Sequence, residues 1–282
     1  MTSQVKTFLL LGVLSALVIF LGGLLGGRIG IFIAFALAII MNVGNYWYSD
    51  KIVLAIYHAR ETEYDDAPYI HDIVEDLARR AGLPKPKIYI IPEEAPNAFA
   101  TGRDPEHAAL AVTEGLLSAI TPEQLRGALA HEMAHVKNRD ILIQTTAAIL
   151  GSAIVTLANI FQFTAIFGGN DRNNTNPFVA IILALLAPIA AALIQMAISR
   201  SREFLADETG ARLCQDPLAL AGALQTLAAK SGQIPLTAGN PSTSQLFIVQ
   251  PQFALDAKVQ NLFSTHPPLS ERIERLQGMV NR

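Results

Sequence analysis

The chain holds one cysteine, one tryptophan and few charges in 282 residues. A lone Cys214 rules out an intrachain disulfide framework. It reads as a small buried apolar residue. Charged residues make up 16% of the chain, against about 25% in soluble proteins. The net charge is −3, and no basic stripe alternates with aromatics, which excludes nucleic acid as a natural partner. Repeats and low-complexity tracts are also absent. What the chain has in excess is apolar residues, at 51%, and that argues against an ordinary soluble enzyme.

Four uncharged stretches are long enough to cross a bilayer, which takes about 20 mostly apolar residues. They run over 7–27, 29–47, 141–167 and 177–198. Only Gly26, Gly27, Arg28 and their neighbours separate the first two, which predicts a tight antiparallel hairpin in residues 1–48. The first stretch is too long for a signal peptide, and another span follows directly. Gln144, Thr145, Thr146, Asn159, Gln162 and Gln195 interrupt the second pair, as expected of helices that face other helices or lie only partly in lipid. Pro188 marks a kink. Lys6, Lys51, Arg60, Lys137, Arg139, Arg200 and Arg202 flank the spans on one side. By the positive-inside rule both termini and the segments 49–140 and 199–282 face the cytoplasm.

The two cytoplasmic segments together suffice for one catalytic domain. Ile70, Ile73, Val74, Leu77 and Ala81 share a helical face over 67–81, stopped by Gly82 and Pro84. Residues 87–92 (KIYIIP) read as a strand, as do 97–102 (NAFATG) and 108–112. A small, partly antiparallel sheet packed on helices follows. Thr121, Pro122 and Gln124 spell an N-cap, a first-turn proline and a capping box. Residues 199–230 read as helix, 231–262 as a long loop, and 269–279 as a final helix.

Two turns into the helix that Thr121 opens stands His131-Glu132-Met133-Ala134-His135, an H-E-x-x-H pattern. Four residues return to the same helix face, so both imidazoles can bind one ion. Zinc lowers the pKa of a coordinated water towards about 7, and Glu132 between the histidines can accept its proton. A catalytic zinc needs a third protein ligand. The pattern with a third histidine is absent, because residues 138–141 read Asn-Arg-Asp-Ile. The best candidate is Glu203 in 199–207 (SRSREFLAD), on a helix that leaves the fourth span as the histidine helix enters the third. Asp207, one turn further, is placed to accept a hydrogen bond from a ligand imidazole. His58, His71 and His107 have no such company and read as surface or structural.

These residues resemble the HtpX family of membrane-bound zinc proteases, relatives of the CAAX prenyl proteases. The matching pieces are NAFATG at 97–102, AHEMAHVKNRD at 130–140, SREFLAD at 201–207 and FSTHPPLSERI at 263–273, and the hydrophobic stretches occur in the family's order. The resemblance implies an α+β, mainly α-helical membrane protein with a gluzincin-type catalytic domain on the cytoplasmic side of the inner membrane. It implies one zinc per chain on His131, His135 and Glu203, with Glu132 as catalytic base. It also implies proteolysis of misfolded or damaged membrane proteins, or of unfolded proteins. His266 and Arg272 in its last motif are expected to stabilise the transition state, with Arg272 close enough to orient His266 or a substrate carboxyl. Asn97, Ala98, Phe99 and Ala100 are expected to form an exposed strand that binds substrate backbone. Two alternatives stand beside this reading. A prenyl-protein protease needs more helices and a larger chamber than four spans build, and a metal-stabilised scaffold has no use for Glu132.

Overall fold

A computed structural model describes residues 3–149, 200–231, 234–236, 246–249 and 266–280. The expected third and fourth spans fall mostly on 150–199 and the expected loop mostly on 237–245 and 250–262, outside the described residues.

The first helix, α1 (Ser3–Ile56), is broken at Gly27, whose φ of 55° and ψ of −138° leave the helical region. Positive φ is open to glycine at little cost, so the turn forms where the expected hairpin requires it. The two arms fold back on each other, since Asn42 Nδ2 donates to Ser15 Oγ across 2.8 Å. Ile29, Phe32, Ile33, Phe35 and Ile40 point outward and are largely exposed. Among the described residues, one helix is long and apolar enough to cross a membrane, with a window at Gly27–Gly44 of mean hydropathy 1.9.

Beyond the hairpin, β1 (Arg60–Glu61) precedes α2 (Pro68–Ala81). Helix α2 ends at Gly82, which takes a left-handed cap at φ 71°. Then come β2 (Lys87–Ile91), β3 (Ala98–Thr101) and β4 (Ala109–Thr113). The sheet order is β1-β2-β4-β3, with β2 and β4 parallel and the outer pairs antiparallel. The side-chain period of two splits its faces. Ala98, Ala100, Leu110 and Val112 enter the main core, while Phe99, Ala109 and Ala111 enter a second cluster with Tyr57 and Phe247. In that second cluster Tyr57, Phe99 and Phe247 pack mutually, with ring centroids 5.2–5.6 Å apart.

The short helix α3 (Glu114–Ala119) leads into α4 (Pro122–Lys137), whose capping box between Thr121 and Gln124 forms as expected. Residues 141–149 are again helical, with Gln144, Thr145 and Thr146 buried in protein. Thr145 hydrogen-bonds Thr101 across 3.0 Å, so this polar residue at the start of the expected third span faces the sheet.

Residues 199–230 are not the single helix their composition suggests. Helix α5 (Arg200–Cys214) and helix α6 (Pro217–Ser231) are separate. Gln215 adopts φ 60° between them, and Asp216 Oδ1 accepts from Ala219 N to cap the second. An acidic cap followed by proline is a helix start, and it overrides the apolar periodicity running through it. The last helix is α7 (Leu269–Met279).

Helix α4 lies at the centre, against both α5 and α6. Two glycines allow this. A Cβ on Gly210 would stand 2.9 Å from His131 N and Cα, and one on Gly127 would stand 2.6 Å from Leu220 N. Backbones meet directly at both crossings, which brings Glu203 of α5 within reach of the histidines of α4.

Candidate active site

His131, Glu132 and His135 sit in the buried middle of α4, and Glu203 and Asp207 on the facing side of α5. The Nε2 atoms of His131 and His135 stand 3.2 Å apart. Glu203 Oε2 lies 3.7 Å from the first and Oε1 lies 3.6 Å from the second. Bonds of about 2.0–2.1 Å at tetrahedral angles would separate donors by about 3.3 Å. One ligand atom from each residue falls within a 4.8 Å cluster, so the three fit one cation.

The hydrogen-bond chemistry agrees. His131 Nδ1 faces Asp207 Oδ1 at 3.0 Å. Its proton is thereby assigned to Nδ1, which leaves the Nε2 lone pair aimed at His135. Both imidazoles thus present a nitrogen to one buried point, where a cation could be held.

Electrostatics differ from residue to residue. Burial drives the His131 pKa down to about 4, despite Asp207. Burial also opposes charge on His135, but Glu203, Asp140 and Glu132 outweigh it and raise that pKa to about 9. The Glu132 carboxyl is pushed up to about 8, chiefly by burial and further by Glu203, although the Ala100 N–H donates to it. Burial would raise Glu203 too, yet His266, His135 and Arg272 together hold it well below the ordinary carboxylate range. Glu203, Asp207 and Asp140 gather carboxylates around this space, a setting that suits a cation.

The last helix adds two residues named from sequence. His266 Nδ1 lies 3.3 Å from Glu203 Oε2, with the side chain 10% exposed. Arg272 is engaged first with Asp207, and it also stands 3.9 Å from Glu203 Oε2 and 3.4 Å from His131 Nε2. It is fully buried, with Nε and Nη2 donating to the two Asp207 oxygens at 2.8 and 2.7 Å. Its Nη1 donates to Ile248 O at 2.9 Å. An arginine so engaged holds Asp207 in place and has no donor directed at open space.

The expected exposed strand is corrected. Asn97, Ala98, Phe99 and Ala100 are buried. Strand β3 is at the sheet edge, but its outward groups are occupied: Ala98 O accepts from Ile248 N at 3.1 Å, and Ala100 N–H points to Glu132. Asn97 clamps the same segment, its Nδ2 donating to Val249 O at 2.7 Å. Residues 246–249 thus cover the edge beside Ala98.

Sequence reading passed over Asp140 and Arg202. Asp140 Oδ2 lies 3.6 Å from His135 Nδ1, and Arg202 Nη1 lies 3.6 Å from Asp140 Oδ1. Helical spacing gives no signal for a contact at i+5, and Arg202 reads as a flanking charge.

Residues 64–280 match the model of Peptidase family M48. The chain belongs to that family. A protease HtpX homologue of Sulfurihydrogenibium sp. is 53% identical over 100% of this chain and 98% of its own length. One from Syntrophobacter fumaroxidans is 53% identical over 99% of this chain and 100% of its own. One from Pyrococcus furiosus is 51% identical over 98% and 96%. The HtpX resemblance in the motifs therefore extends along the whole chain. Among solved structures, S. mikatae Ste24p shares the fold at a TM-score of 0.51 and 20% identity. The match covers 96% of this chain and 62% of that one. As an M48 peptidase the chain is a metalloprotease that hydrolyses peptide bonds.

Proposed function

We propose that this M48 peptidase is a zinc-dependent endopeptidase of the cytoplasmic membrane, acting on misfolded or damaged membrane proteins and on unfolded chains. The observation that carries the reading is the buried His131–His135–Glu203 cluster beside the buried Glu132. Imidazole and carboxylate donors suit zinc. When bound, zinc supplies Lewis acidity and lowers the pKa of water towards about 7.

The chain's own residues do the rest. Glu132 accepts the proton of the attacking water and returns it to the leaving amine. Burial raises its carboxyl above the ordinary carboxylate range. Asp207, held by Arg272, fixes the His131 tautomer. His266, beside Glu203, donates to the oxyanion that develops on the scissile carbonyl, a contribution of about 2.7–4 kcal/mol in comparable sites.

Four spans, at 7–27, 29–47, 141–167 and 177–198, hold the catalytic segments 49–140 and 199–282 on the cytoplasmic face. The exposed apolar surface of the hairpin supports this. Reporters fused after Lys6, within 170–176 and at the C-terminus should read inside, outside and inside. An extracytoplasmic C-terminal signal refutes that topology.

The direct test uses the purified full chain in detergent on casein. Chelator should abolish cleavage and zinc should restore it. Glu132→Gln should keep its zinc and lose turnover, whereas a metal-stabilised scaffold would cleave nothing under any condition.

A further inference from the structure

Each of the two histidines has a carboxylate behind its Nδ1, and each carboxylate has an arginine behind it. On the first branch Arg272, Asp207 and His131 are linked at 2.7–3.0 Å. On the second, Arg202, Asp140 and His135 stand 3.6 Å apart at both steps. The second carboxylate comes from a turn of the chain, not from a neighbouring helix.

That turn is specifically built. Helix α4 ends with Arg139 N donating to Val136 O at 3.1 Å and Asp140 N donating to His135 O at 3.0 Å. Arg139 between them takes φ 58°. This is the double-bonded left-handed helix terminus that glycine normally occupies. An arginine there is strained, because its Cβ crowds the following carbonyl in the left-handed region. The result is that Asp140, five residues on, doubles back over His135, which helical periodicity alone would not allow. Asp140 is 2% exposed and His135 4%, so the contact is shielded from water.

We propose that Asp140 is a positioning residue for His135. Its carboxylate accepts the Nδ1 proton, which commits the Nε2 lone pair to a divalent cation, and Arg202 steadies Asp140 as Arg272 steadies Asp207. A movement of under about 1 Å turns the 3.6 Å contact into a hydrogen bond of ordinary length. The inference rests on the reading that His135 is a metal ligand, and it adds a second oriented imidazole to the one expected from Asp207.

The test is zinc affinity of the full chain in detergent, measured by competition with a chromophoric chelator. Asp140→Ala should bind zinc about 10–100-fold more weakly, the usual loss when a ligand's outer partner is removed. Asp140→Asn, of the same shape, should also lose affinity, because its amide can donate to Nδ1 and stabilise the wrong tautomer. Arg139→Gly relaxes the turn without moving Asp140 and should bind as the parent does. Imidazole 15N spectra of the metal-free protein should show the His135 proton on Nδ1 in the parent and redistributed in Asp140→Asn. A purely structural Asp140 would lower the melting temperature and leave both the zinc Kd and the tautomer unchanged. Zinc affinity within two-fold of the parent in Asp140→Asn overturns the proposal, including where Asp140→Ala does not fold. His135→Ala separates the two levels. If that variant binds zinc normally the ligand reading itself fails. If it loses zinc while Asp140→Asn does not, only the role of Asp140 fails.

Discussion

The hairpin of α1 and the centre of α4 are both helical and both apolar, yet they bury opposite things. The hairpin turns Ile29, Phe32 and Ile40 outward. Its arms are joined by a hydrogen bond between Asn42 and Ser15. Helix α4 turns Leu125, Leu129 and Met133 inward and carries His131, Glu132 and His135 into the same interior. Water-driven burial can shape α4, because apolar area removed from water stabilises by roughly 25 cal/mol per Å². In lipid the surroundings are as apolar as the side chains, so little of that force acts between helices. Under the proposed membrane topology, apolar residues fix position in α4 and only solubility in lipid in the hairpin.

The largest effect should come where α5 meets α4. Gly210→Val puts side-chain atoms where a Cβ alone already approaches His131 N and Cα to 2.9 Å. Overpacking of this kind costs about 1–3 kcal/mol, occasionally more. It also separates Glu203 from the histidines. The variant should lose zinc and hydrolysis together, and a zinc stoichiometry equal to the parent's would show that the crossing tolerates a side chain.

In stability rather than activity, the sharpest contrast is between two large-to-small changes. Leu129→Ala, fully buried in the core, should cost about 2–5 kcal/mol in thermal or denaturant unfolding of the catalytic unit. Phe32→Ala, 75% exposed on the hairpin, should change the same measurement by less than about 0.5 kcal/mol. Equal losses at the two positions would mean that the hairpin surface is covered by protein and not by lipid.

Legibility in the sequence follows the same division. Helix α4 announces itself because Thr121, Pro122 and Gln124 are local signals and H-E-x-x-H uses spacing within one element. The hairpin turn is legible from Gly27 for a similar reason. Asp207 was foreseeable as one turn beyond Glu203. What escaped depends on contacts between elements. Gly127 and Gly210 look like ordinary weak points of helices until the crossings are seen. Asp140 reaches His135 only through the left-handed Arg139. The burial of Arg272, and its hold on Asp207 65 positions away, leave no local trace. The break at Gln215–Pro217 was legible in Asp216-Pro217 but lay beneath an apolar pattern that continues across it.

Asn97 sharpens the comparison from the sheet side. Its side chain donates to Val249 O at 2.7 Å and accepts from Ala98 N at 3.1 Å. Asn97→Ala leaves a buried carbonyl without its donor, at a cost of about 1–3 kcal/mol. The variant should melt earlier and be nicked by chymotrypsin more readily at Leu246 or Phe247, with zinc content unchanged. A higher KM with an unchanged melting temperature would instead return Asn97 to substrate contact.

The smallest effect is expected inside the hairpin. Asn42 Nδ2 donates to Ser15 Oγ, which itself donates to Leu11 O at 2.7 Å. Hydrocarbon around a polar pair suggests a large contribution, since nothing else there can accept the amide. Yet such bonds between membrane helices average only about 0.6 kcal/mol, because polar groups of the separated helices find other partners. Ser15 illustrates why: its hydroxyl keeps the Leu11 carbonyl when Asn42 is gone. Asn42→Leu removes the amide and adds an apolar side chain at home in lipid. Unfolding of the full chain in mixed micelles should therefore shift by well under 1 kcal/mol, and casein hydrolysis should stay at the parent's rate. A loss of about 2 kcal/mol or more, or a fall in turnover, would show that the arms are held in register by this bond and that the register is transmitted through Tyr57 to Phe99 and the catalytic sheet.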